Sequence, residues 1–106
     1  MRIAIRSLAL VVSVAAGTAF AAEPATINID NFTFKPPTLT VPKGTTVVWL
    51  NRDDSPHRVA GTGGQFKSPV LDTDENFSWT FTQAGEAAYF CTMHPHMTGK
   101  VVVTDK

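Results

Sequence analysis

Cys91, the sole cysteine of this 106-residue chain, opens the run Cys91-Thr92-Met93-His94-Pro95-His96-Met97, and His57 stands far upstream behind Pro56. One thiolate, two imidazoles and a weak thioether form the donor set that binds copper for electron transfer: the soft sulfurs suit Cu(I), and the imidazoles serve both oxidation states. The spacing Cys-x2-His-x2-Met lets a tight loop turn three donors toward one point, while Pro95 restricts its neighbour and stiffens the loop. His57, Cys91, His94 and Met97 are therefore the candidate metal ligands, and each of the three histidines lies at, or two residues from, one of these positions.

Taken singly, each residue has an ordinary reading. His57 ahead of Val59 is a solvated or core-satisfied imidazole, His94 a loop imidazole, Met97 a core methionine and Cys91 a small buried hydrophobe. Their conjunction in one motif favours ligation. A lone cysteine makes no internal disulfide, and in an oxidising compartment an unprotected thiol is a liability that metal ligation removes. Zinc suits the pattern less well, since Met97 is a soft donor poorly matched to that ion.

That compartment is expected from the first 21 residues. Arg2 and Arg6 form a basic start, Leu8 to Ala16 an apolar run, and Ala19-Phe20-Ala21 a small-residue cleavage site. The run is shorter than the roughly 20 residues a membrane span needs. The expected organisation is a signal peptide at 1–21 and one small domain at 22–106, exported to the periplasm. Removing the leader takes Arg2 and Arg6 away and leaves fewer basic than acidic residues, so nucleic acid is not an expected partner.

The elements that must position the donors read as short strands broken by Pro, Gly and Asp/Asn turns, without a 3.6-residue apolar period. This is an all-β sandwich. Ile27 and Ile29 alternate, Phe32 and Phe34 continue the alternation, and Pro36-Pro37 breaks the ladder. Leu39 and Val41 begin the next strand, Pro42-Lys43-Gly44 is a turn, and Thr45 to Leu50 reads as a strand covered on both faces. Asn51 to Pro56 is a polar loop, in which Asp53 and Asp54 between Arg52 and Arg58 read as solvated and internally compensated. Gly61-Thr62-Gly63-Gly64 is a flexible connection, and Asp72, Asp74 and Glu75 an acidic turn. Phe77, Trp79 and Phe81 alternate with polar residues as a half-buried strand. Ala87 to Cys91 and Lys100 to Thr104 complete the set, and period two aims Cys91 inward together with Tyr89.

With these pieces assembled, the chain resembles the cupredoxins, most nearly the amicyanins, with pseudoazurin and plastocyanin more distant. The resemblance rests on Phe34 followed by proline, Val41-Pro42-Lys43-Gly44, Val48-Trp49-Leu50-Asn51-Arg52, Pro56-His57, Thr80-Phe81-Thr82, and Cys91 through Met97 followed by Gly99-Lys100-Val101-Val102-Val103. It implies a Greek-key β-sandwich of about eight strands and one type 1 copper ion. His57, Cys91 and His94 would form a near-planar set, with Met97 as the long axial ligand. It also implies a monomeric carrier of single electrons between redox proteins, the pair suggested being an amine dehydrogenase and a c-type cytochrome. Four positions depart from the pattern: Arg58 replaces an asparagine, Ala87 a tyrosine, Met93 a proline and His96 an aromatic residue.

The last two changes create Met93-His94-Pro95-His96-Met97, a soft loop that suggests a rival function, a periplasmic copper carrier or store. That rival has no need of His57. An enzyme is not expected: catalytic copper or zinc needs an open coordination position or further histidines, and a Cys91–His94 nucleophile pair lacks an orienting third group.

Overall fold

The computed structural model describes residues 23–106; the expected leader at 1–21 lies outside them. Eight strands follow in order: β1 Ala25–Asp30, β2 Thr33–Lys35, β3 Thr38–Pro42, β4 Thr45–Asn51, β5 Val59–Gly61, β6 Asn76–Phe81, β7 Gly85–Cys91 and β8 His94–Thr104. They form two four-stranded sheets, ordered β2-β1-β4-β6 and β3-β8-β7-β5. The chain crosses repeatedly between the sheets, so each contains one parallel pair, β1 with β4 and β3 with β8. The result is the expected cupredoxin-like sandwich.

Period-two alternation decides which side chains fill it. On β4, Thr45, Val47, Trp49 and Asn51 are buried, and on β7 the same is true of Ala87, Tyr89 and Cys91. The other face of β4 is only half-buried, so that strand is not covered on both sides as its apolar content suggested. Between the sheets Tyr89 meets Phe34 and Trp49 edge-on at centroid separations of 4.7 and 5.3 Å. Trp49 Nε1 lies beside the Tyr89 hydroxyl without hydrogen-bond geometry. Burial pushes the phenol well above its ordinary pKa.

Two strands differ from the sequence reading. The Ile27–Phe34 alternation is not continuous: Asn31 and Phe32 take positive φ (54° and 56°) and turn the chain into a β1–β2 hairpin. Phe32 leaves the core and is 45% exposed. On β6, Phe77, Trp79 and Phe81 do share a face, all three against Phe66. Yet β6 is an edge strand, so Trp79 remains 38% exposed and only Phe81 is buried. In the glycine segment Gly64, at φ 83°, donates to Gly61 O at 2.9 Å and closes a turn after β5.

Candidate metal centre

Three of the four candidate ligands come from one strand pair. In the antiparallel β7–β8 ladder Phe90 opposes Thr98, but the next residue, Cys91, opposes His94. Pro95, His96 and Met97 are thus extra residues on β8, a bulge that re-aims side chains at the sheet rim. β8 accordingly begins at His94, well before the Lys100 start expected from sequence, because the expected ligand loop is itself part of the ladder. Within the bulge Met97 turns inward (3% exposed), whereas Pro95 and His96 face solvent.

His57 reaches the same point from the segment before β5. Its backbone exchanges hydrogen bonds with Leu71, His57 N to Leu71 O at 3.0 Å and Leu71 N to His57 O at 2.7 Å. Val59 pairs with Cys91, and Thr92 N donates to Arg58 O at 2.8 Å. These backbone links tie the His57 and Cys91 segments whatever side chain stands at 58. The Arg58 guanidinium itself donates from Nε to Ser68 O at 2.9 Å.

The donor atoms converge. Cys91 Sγ lies 3.6 Å from His57 Nδ1 and 3.7 Å from His94 Nδ1, and all three atoms fall within 4.8 Å of one another. Bonds of about 2.0–2.3 Å from nitrogen and sulfur to a first-row ion, diverging at trigonal angles, set donors about 3.7 Å apart, so the triad fits such an ion. A single S–H proton could serve only one of the two imidazoles. Cys91 and His57 are fully buried and His94 is half-buried. A buried thiolate is costly without a cation beside it, which a metal supplies.

The structure adds two residues that the sequence reading placed elsewhere. Asp53 is not solvated: it is 9% exposed, and its carboxylate accepts hydrogen bonds from Asn31 N (2.6 Å), Phe32 N (2.9 Å) and His57 Nε2 (2.8 Å). Burial acts to raise this carboxyl, but the bonds from Phe32, His57 and Asn31 hold it below the ordinary aspartate value. Nor are the neighbouring arginines its partners, since Arg52 pairs with Asp74 at 3.2 Å and Arg58 with Ser68. Phe32 sets its ring edge-to-face with both imidazoles, at 5.2 Å from His57 and 5.0 Å from His94. The signals were present but slight: an aspartate four residues before the histidine, and an asparagine, the residue most tolerant of positive φ after glycine, beside the phenylalanine.

A family profile described as the Cupredoxin-like domain matches residues 3–103. Amicyanin from Paracoccus denitrificans is 43% identical over 82 residues, 73% of this chain and 63% of its own length. Amicyanin from Paracoccus versutus is 37% identical over 87 residues, 77% of this chain and 66% of its own. The chain thus spans a little under two thirds of these two curated relatives. A solved Cu(I) structure of a methionine-to-alanine amicyanin variant has a TM-score of 0.70 at 40% identity, covering 76% of this chain and 81% of that one. With its two-sheet sandwich and its His-Cys-His cluster, the chain belongs to the cupredoxin-like domain family, within which its similarity runs to the amicyanins.

Proposed function

We propose that this protein is an exported one-electron carrier that holds one copper ion through His57, Cys91 and His94, with Met97 as the weak axial donor. The observation that carries this reading is the pair of Sγ–Nδ1 distances, 3.6 and 3.7 Å, in a pocket where sulfur and one imidazole are sealed from water. Bound there, copper supplies the Cu(II)/Cu(I) couple. The residues supply a fixed donor set, held by a strand pair and a backbone bridge, that suits both oxidation states and reduces rearrangement on each transfer.

His94 is the outlet in this reading, because its half-buried ring is the part of the triad that approaches the surface. Exposed Phe32, Met93 and Pro95 surround that approach with apolar atoms, a surface suited to small and quickly released contacts. The partners proposed are a donor and an acceptor redox protein, an amine dehydrogenase and a c-type cytochrome, met by the monomer in the periplasm after cleavage behind Ala21. Among the described residues no helix is long and apolar enough to cross a membrane.

The test is the visible spectrum of oxidised, copper-loaded protein. Intense thiolate-to-copper charge-transfer absorption is expected, and Cys91→Ser should abolish it. Exposed Met93 and His96 beside the triad favour copper delivery as the second reading. A colourless wild type that still bound one equivalent of copper would establish that reading in place of the carrier.

A further inference from the structure

The hairpin between β1 and β2 is built against local preference. Asp30 pairs with Thr33, so the turn has two central residues, Asn31 and Phe32, both at positive φ. Such turns favour glycine at the second position, because a Cβ in the left-handed region is crowded by the backbone. A phenylalanine there is strained and persists only where its surroundings enforce it. The enforcing group is the Asp53 carboxylate, which takes the amide protons of both turn residues and, with Oδ2, the Nε2 proton of His57.

We propose that Asp53 is a positioning residue of the metal centre: one carboxylate orients the His57 ring through Nε2 and, through the Asn31–Phe32 turn, seats the Phe32 ring across His57 and His94. A carboxylate accepts and does not donate, so His57 must carry its proton on Nε2. In the neutral ring the Nδ1 lone pair is then left facing Cys91 Sγ, 3.6 Å away. This is the tautomer a metal-binding imidazole needs, enforced by a partner on the far nitrogen. Three donors satisfy the buried carboxylate, which would otherwise be costly to hold there.

Two consequences separate this role from mere support of the fold. A negative charge one imidazole away from the donor atom stabilises the more positive oxidation state of a bound ion, so Asp53 lowers the reduction potential. The carboxylate also keeps an aromatic edge against His94, although residue 53 lies in the β4–β5 connection and residue 94 opens β8.

The potential measurement rests on the copper reading above, whereas the tautomer is read without metal, so failure of one is distinguishable from failure of the other. In metal-free wild type, 15N chemical shifts should show the neutral His57 ring protonated at Nε2; a neutral ring with its proton on Nδ1 would overturn the proposal. In copper-loaded protein, Asp53→Asn keeps an acceptor for His57 but removes the charge, and should shift the reduction potential positive while Asp53→Glu stays near wild type. Equal potentials for wild type and Asp53→Asn, with copper bound in both, would overturn it. Metal-free Asp53→Ala, or Asp53→Asn if the alanine variant does not fold, should move the His94 ring-proton shifts toward those of Phe32→Leu. His94 shifts that stayed at wild-type values would sever the link from Asp53 to Phe32.

Discussion

Met97 shows how a single side chain is chosen by its burial. Of the two methionines that flank His94 in sequence, Met93 is 44% exposed and Met97 only 3%, turned inward by the bulge that displaces Pro95 and His96 to solvent. A buried thioether is a soft donor, which favours Cu(I). Replacing it with glutamine introduces a harder oxygen and should lower the reduction potential while copper stays bound. Electrochemistry of Met97→Gln decides this. An unchanged potential would transfer the axial role to Met93 and require the bulge to rearrange on metal binding.

At the scale of the element, the β7–β8 pair aims the sulfur and also limits what its own backbone tolerates. Tyr89 lies opposite Gly99, and a Cβ at 99 would overlap Oη, Cζ and Cε1 of the phenol. Tyr89 is itself wedged between Phe34 and Trp49, so it has little room to give. Gly99→Ala should therefore destabilise the metal-free protein by about 1–3 kcal/mol, the usual range for overpacking. The denaturation midpoint measures it. Because Cys91 is two residues along the same face of β7, a tilt of Tyr89 would also change the donor geometry, and copper affinity should fall alongside stability. A variant of wild-type stability would mean that β7 and β8 can separate locally at no cost.

Across the mature molecule acidic residues outnumber basic ones only slightly, and the acidic turn is partly neutralised, Asp74 pairing with Arg52 at 3.2 Å. Long-range steering is therefore weak, and the apolar rim around His94 should govern electron exchange. Met93→Glu places a charge in that rim and should slow self-exchange without altering the copper spectrum. The control at the acidic turn is Asp74→Asn, since the residue sits at φ 68°, where asparagine is tolerated and a long side chain strained. It should change only the salt dependence. Stopped-flow rates indifferent to Met93→Glu but sharply reduced by Asp74→Asn would move the outlet to the acidic turn.

What the sequence by itself determined is whatever depends on residue type and short spacing. Donor chemistry is intrinsic to Cys, His and Met, and the two-residue period of β7 aims Cys91 inward before any partner strand is considered. The linear motifs were also sufficient for the cupredoxin resemblance. Pairing between strands decided the rest. Asp53 looked solvated between two arginines because nothing within its loop tells that Asn31 and Phe32, 22 and 21 residues earlier, present their amides to it. Phe32 read as core because alternation carries no sign of a hairpin whose two central residues bend left-handed. Trp79 faces the expected side of β6, yet only the order of strands makes β6 an edge and leaves the indole half uncovered. Local periodicity fixes the direction in which a side chain points. What it meets there depends on contacts between residues distant in the chain, and those exist only once the two sheets have closed.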